Sequence, residues 1–117
     1  MAKPELEFFD TERLAWRAVG GEAKVSQRVL AEDAATGLLT RLVRWDPGVN
    51  TSATGPVAHE HFEEVLLLSG SLHDLGLNQT FGTGYYACRP PGMLHRPWES
   101  AEGCIMLETR YEHERPR

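Results

Sequence analysis

An all-β fold, a sandwich or closed barrel of short strands, is what the sequence predicts, and three observations carry it. No window of about 11 residues or more keeps a helical period. Short β-rich runs recur at close spacing along the chain. Between them, 11 Gly and 7 Pro supply turns.

Taken in order, residues 14–19 read as a first strand and 23–30 as a second, and the Gly20-Gly21 pair between them is a tight-turn signal. Residues 32–37 form a polar turn, and 31–36 could make one helical turn at most. Residues 38–45 alternate imperfectly as a third strand. Asp46-Pro47-Gly48 ends it, because Pro presets a turn φ and Gly accepts a positive one. A polar loop covers 51–56. Strands at 57–61 and 63–68 follow, then 72–75, 77–81 and 85–88 at hairpin spacing, and 104–111 is the last. The charged tail 113–117 is expected to fray. The run Val65-Leu66-Leu67-Leu68 is apolar on both faces. Successive strand side chains point opposite ways, so Val65 and Leu67 can fill a barrel while Leu66 and Leu68 need a second cover. The strands within 14–30 could cover the barrel or exchange with a partner, and a symmetric homodimer is the expectation.

At 117 residues the chain has the length of one domain, with a barrel core at about 38–111. It can bury that core without disulfides. Hydrophobic residues at 41% and charged residues at 25% are ordinary for a soluble globular protein. A net charge of -5 with no basic cluster argues against a nucleic-acid or anionic-membrane surface. No apolar run approaches the roughly 20 residues that span a bilayer, and the N-terminus lacks the basic-then-apolar build of a secretion signal. Cys88 and Cys104 make no disulfide framework. A reducing cytoplasm and free, buried thiols are expected, although the two cysteines fall in different strands where a bridge is geometrically possible.

Two stretches carry the chemistry. The first is His59-Glu60-His61-Phe62-Glu63-Glu64, followed by an apolar run and Gly70. The second is Gly84, then Arg89-Pro90-Pro91-Gly92-Met93-Leu94-His95. They supply three histidines and a carboxylate, donors that Zn, Fe, Mn, Ni or Cu accepts. A His-x-His pair alone says little, since such pairs also sit on solvated loops. Pro-Pro-Gly-x-x-His is costly as an ordinary strand and makes sense as a turn presenting one imidazole.

Together the stretches resemble the two motifs of the cupins. Gly84, Pro90, Gly92 and His95 match the second motif, with Glu99 where the family carries Asn. Glu63 and Gly70 match the latter half of the first. Glu-Glu before the apolar strand, Arg-Pro-Pro-Gly before the histidine and the late Glu102-Gly103-Cys104 resemble the cupin domain of ChrR-type anti-sigma factors. Small cupins that cleave ketones or diketones as dioxygenases look similar too. The resemblance implies a double-stranded β-helix, the jelly-roll barrel, with one divalent transition metal (Fe, Zn, Mn or Ni) in its mouth and a small-molecule ligand beside it.

Anchoring on Glu63 and Gly70 puts Val57 where the family has its first histidine. Two alignments repair this. A short loop shift lets His59 and His61 serve as the His-x-His pair with Glu63 or Glu64 as carboxylate. Alternatively His59, Glu63 and His95 hold the metal and His61 fills the vacated position. In an extended strand His59, His61 and Glu63 share a face and Glu64 does not. The favoured metal ligands are therefore His59, His61, Glu63 and His95. Glu63 could also act as a general base, with Glu64 as a fallback. Arg41, Trp45, Phe62, Gln79, Tyr86, Arg89, Met93, Trp98 and Met106 are candidate pocket residues, although such side chains in strands more often serve the core. His73 and His113 read as exposed.

The resemblance favours a dioxygenase-like enzyme on a small ketone or enol that chelates the metal. Zinc would instead favour isomerase, cyclase or hydrolytic chemistry. A ligand- or metal-binding sensor without catalysis is the alternative, and fold does not decide among them.

Overall fold

A computed structural model of the chain describes residues 3–20, 22–51, 59–94 and 98–112. The expected loop at 51–56, Val57, His95 and the tail at 113–117 lie wholly or mostly outside these. Among the described residues nine strands form: β1 (Arg17–Val19), β2 (Glu22–Glu32), β3 (Leu39–Trp45), β4 (Val49–Asn50), β5 (Phe62–Asp74), β6 (Gln79–Gly82), β7 (Tyr86–Arg89), β8 (Trp98–Ser100) and β9 (Cys104–Tyr111). All their pairings are antiparallel. Among the described residues no α-helix occurs, and no helix is long and apolar enough to cross a membrane.

Strand β5 organises the curl. Its first half pairs with β9 and β7, its second half with β8 and β6. The sequence predicts two strands here, 63–68 and 72–75, broken near Gly70. The structure has one 13-residue strand that bends instead. The register slips between Leu67 and Ser69, and Gly70 takes φ +79°. A Cβ on Gly70 would stand 2.0 Å from the Gly103 carbonyl oxygen. That carbonyl also accepts the Ser71 N–H at 3.2 Å, so pairing survives the bend and the chain passes from one sheet to the other. Only glycine permits this approach.

Elsewhere the differences are mainly of extent. β9 has the expected bounds. β1 is shorter than 14–19 because residues 11–13 form a 3₁₀ turn, capped by the Asp10 side chain on the Glu12 N–H. The polar turn is built on buried Asp33, whose Oδ1 accepts the Ala35 N–H at 3.0 Å. β4 and β8 fall outside the expected strands. They are two and three residues long, and pair with each other at Val49↔Ser100 and Asn50↔Glu99. Of the strand expected at 57–61, residues 59–61 are irregular and pairing begins at Phe62.

The core gathers on the inward face: Val43, Val65, Leu67, Leu72, Cys104 and Met106, with Val25, Trp45, Phe81 and Trp98 packed against it. Each such aliphatic side chain contributes about 1.5–3 kcal/mol on burial. Val65 and Leu67 are buried, whereas Leu66 is half-buried and Leu68 is 43% exposed. β1 and β2 lengthen the sheet beyond β3 and so lie beside β5's sheet neighbours. Both cysteines are free, but only Cys104 is buried; Cys88 is exposed, opposite Glu64 on β5. The expectation of two buried thiols is corrected, because Cys88 has the outward parity of Glu64.

Candidate functional site

Along the inward face of the sheet the side chains change from apolar to charged. On β9, Cys104 and Met106 are followed two by two by Glu108 and Arg110; on β5, Leu67 and Val65 lead back to Glu63; on β3, Val43 leads back to Arg41. The register sets Arg41 beside Glu108, Glu108 beside Val65, and Glu63 between Arg110 and Arg89. The result is a buried charge network at one end of the barrel. Arg41 Nε and Nη2 each lie 2.9 Å from Glu108 Oε2, and Arg41 Nη1 donates to Gln27 Oε1 at 2.6 Å. Arg110 Nε donates to Glu108 Oε1 at 3.0 Å, and Arg89 Nη1 stands 4.0 Å from Glu63 Oε1.

The two carboxyl groups also hydrogen-bond to each other. Burial first, then this contact with Glu108, pushes the Glu63 carboxyl up to about 8. Burial opposes the charge of Glu108 as well. The hydrogen bond from Glu63 and the guanidinium groups of Arg41 and Arg110 overcome it and hold Glu108 well below the usual range. The proton therefore sits on Glu63, which donates to an ionised Glu108.

His59 and His61 lie just before β5 at the same end. The Gly92 N–H donates to the His59 carbonyl at 2.9 Å, within a turn where Gly92 has φ +83° and Met93 N–H meets Pro90 O at 3.2 Å. The Pro-Pro-Gly turn is thereby tied to the first motif. The two imidazoles stack, centroids 4.9 Å apart and planes 16° from parallel. His59 Nε2 stands 3.6 Å from Glu63 Oε2, too long for a direct hydrogen bond. Burial, and then the charge of Arg110, lowers the pKa of both rings, which favours the neutral form that ligates metals. His61 Nε2 is buried and, among the described residues, has no hydrogen-bond partner. That costs about 1–3 kcal/mol, which a cation or a proton donor at that point would offset. Among the described residues no three metal-ligating groups close on one point, and His95, the expected further imidazole, lies outside them.

The remaining expected residues divide. Glu64 points to the outer face, where the Tyr86 O–H donates to it; strand parity keeps it from the site. Tyr86, Met93 and Trp98 line a cavity of about 380 Å³, together with Arg89. Arg41 belongs to the charge network instead. Met106 and Trp45 belong to the core, Gln79 is exposed, and Phe62 stacks on Tyr111 at 5.1 Å. His73 is half-buried and pairs with Thr80 Oγ1 at 2.8 Å, so it is not simply exposed. The sequence reading passed over Glu108, Arg110 and Gln27. The signal was there: β9 places two charged residues at the parity of Cys104 and Met106.

With this geometry in view, comparison with known proteins is informative. A family model described as the ChrR cupin-like domain matches residues 5–113. An RmlC-like cupin from Shewanella frigidimarina superposes with a TM-score of 0.71 at 20% identity, over 97% of this chain and 96% of that one. An acetylacetone dioxygenase from Acinetobacter johnsonii gives 0.67 at 16% identity, over 94% and 74%. The Rhodobacter sphaeroides complex of SigE with the anti-sigma ChrR gives 0.62 at 26% identity, over 86% of this chain and about half (51%) of that one. No curated protein matches the sequence. The shared architecture is the cupin jelly roll, and the family match runs from before the first strand to beyond the end of β9: this chain belongs to the ChrR cupin-like family.

Proposed function

We propose that this chain is a metal-dependent, dioxygenase-like enzyme acting on a ketone or enol, with one divalent transition ion held by His59, His61 and Glu63 together with His95. One observation carries this reading: two stacked imidazoles of lowered pKa and a buried carboxyl gather beside Arg89, which itself lines an apolar cavity. Iron bound there would supply dioxygen activation, and zinc would supply Lewis acidity for isomerase or cyclase chemistry. The protein's own part is positional. Arg89 and Arg110 flank Glu63, and Glu108 takes its hydrogen bond, so the carboxyl is fixed before any ligand arrives. Glu63 must lose its proton to ligate, so metal uptake near pH 7 releases a proton. Glu64 takes no part, because it faces the other way. The cytoplasm, where free Cys88 and Cys104 stay reduced, is the proposed compartment, and a homodimer the proposed assembly.

Elemental analysis of protein purified without a chelating tag tests the reading. His59→Ala and His61→Ala should each lose most of the bound metal, and iron-loaded wild type should consume dioxygen with a β-diketone. Metal retained in both variants sinks the ligand assignment. A second reading, a sensor without turnover, is favoured by the 26% identity to the anti-sigma ChrR. Tight ligand binding with no turnover under iron or zinc would select it.

A further inference from the structure

The cavity inside the sheet, at about 380 Å³, falls within the range of small-molecule sites. Leu72, Phe81 and Trp98 form its walls. Nine large apolar side chains are exposed among the described residues, and five of them (Leu77, Tyr85, Tyr86, Met93 and Leu94) line this one cavity. Apolar surface left open around a concavity is surface that a ligand covers.

Two charged residues interrupt the apolar lining. Asp74 is buried and occupied: its Oδ1 accepts the N–H groups of Gly76 and Leu77 at 2.8 and 3.0 Å, holding a turn. Arg89 is placed differently. It sits on β7 opposite Glu63, whose carboxyl stands 3.6 Å from the His59 ring. Its side chain is 11% exposed. The guanidinium lies over the Trp98 ring, 5.4 Å from the centroid, which restrains the plane of the group. Its contact with Glu63 is 4.0 Å, longer than a hydrogen bond. A guanidinium has five donors in a planar fork suited to a planar oxyanion. Here that fork is held at the polar end of an apolar chamber.

We propose that Arg89 is the specificity-determining residue of this cavity. It takes a planar oxyanion, a carboxylate or an enolate, on a ligand whose aromatic body packs between Leu72, Phe81 and Trp98. The inference deepens the proposed function and rests on it only for the location of the reacting atoms. It narrows the substrate class to aryl-substituted enolates or keto acids, against small dialkyl diketones. An anion in such a chamber is costly unless paired, and the bidentate arginine supplies the pair.

The test uses the full chain, first treated with chelator, and follows binding of 2-naphthoate and of its neutral methyl ester by calorimetry. Wild type should bind both, the acid more tightly. Arg89→Leu should weaken the acid by about 10- to 100-fold, the range of a charge-assisted hydrogen bond, and leave the ester unchanged; unchanged ester binding also reports a folded cavity. Arg89→Lys, which keeps the charge and loses the fork, should fall between them and carries the test if the Leu variant does not fold. Benzoylacetone titrated below and above its enol ionisation separates the sources: a gain on ionisation that needs Arg89 assigns the enolate, and none assigns the carboxylate. Equal acid binding in wild type and Arg89→Leu, or no binding of acid and ester by wild type, overturns the inference. Metal content and oxygen uptake are read on parallel untreated samples. Failure there sinks the proposed function and leaves Arg89 selectivity standing.

Discussion

Glu63 and Glu108 stand diagonally across the β5–β9 pairing and share one hydrogen bond on the inward face of the sheet. Two buried carboxylates in contact cannot both stay ionised. Arg41 and Arg110 bind Glu108 directly at 2.9 and 3.0 Å, whereas Arg89 reaches Glu63 only at 4.0 Å. The closer cations decide which partner keeps the charge.

In the metal-free protein this pair makes stability depend on pH. The folded Glu63 carboxyl titrates at about 8, against an ordinary value of 4.5. Between those values the folded state binds a proton that the unfolded state has lost, so stability falls as pH rises. The groups facing Glu63 are Glu108 and Arg110 on β9, Arg89 on β7 and His59 before β5. Glu108 acts oppositely: its folded pKa is lowered, so its contribution is present above 4.5 and is lost in more acidic solution. Below pH 6.5 the lowered pKa values of His59 and His61 act in the opposite sense, so urea titrations with chelator between pH 7 and 8 should show a declining midpoint in wild type and a flatter profile in Glu63→Gln. Equal slopes would contradict the assignment.

Glu108→Ala should be severely destabilising, by about 3–5 kcal/mol, because it strands the buried Arg41 and removes the partner of Glu63. Arg110 is part of the same network and should couple: the double variant with Arg110→Ala should lose less than the sum of the single losses. Denaturant unfolding of the four proteins measures this.

Gly70→Ala should lose about 1–3 kcal/mol from overpacking alone, with strain at φ +79° in addition. The new Cβ would meet backbone atoms, Gly103 O at 2.0 Å and Cys104 Cα at 2.7 Å. Gly84→Ala is the control. It has a similar φ of +88° but open space around the Cβ position, so it should lose only the backbone term. Thermal melts of the two variants should differ by several degrees, Gly70→Ala being lower.

The proposed homodimer rests on Leu68, 43% exposed, and half-buried Leu66 on the outer face. Sedimentation at micromolar concentration should show twice the 13.1 kDa chain mass. Leu68→Glu, an outward-facing change that spares the core, should shift the species to a monomer. A wild-type monomer at that concentration would refute the dimer.

Much of this was legible from alternation. The run at Cys104–Tyr111 reads as a strand because its inward positions are Cys, Met, Glu and Arg at period two. Glu64 could be separated from Glu63 by the same parity. The sequence predicts two strands where β5 is one, since a glycine in a strand marks either a break or a bulge. Here the choice belongs to Gly103, 33 residues later in the chain. β4 and β8 are too short to carry a pattern, and long-range pairing alone makes them strands.

The sequence by itself determined the strand periodicity, the glycine and proline corners, and the identities of His59, His61, Glu63 and Arg89, because these are properties of neighbouring residues. The tertiary structure decided what those residues are. It set Glu63 against Glu108, gave the proton to one of them, laid Arg89 across Trp98 and walled the cavity. The physical reason is that desolvation and charge pairing depend on register between strands far apart in the chain, and no local pattern contains that register.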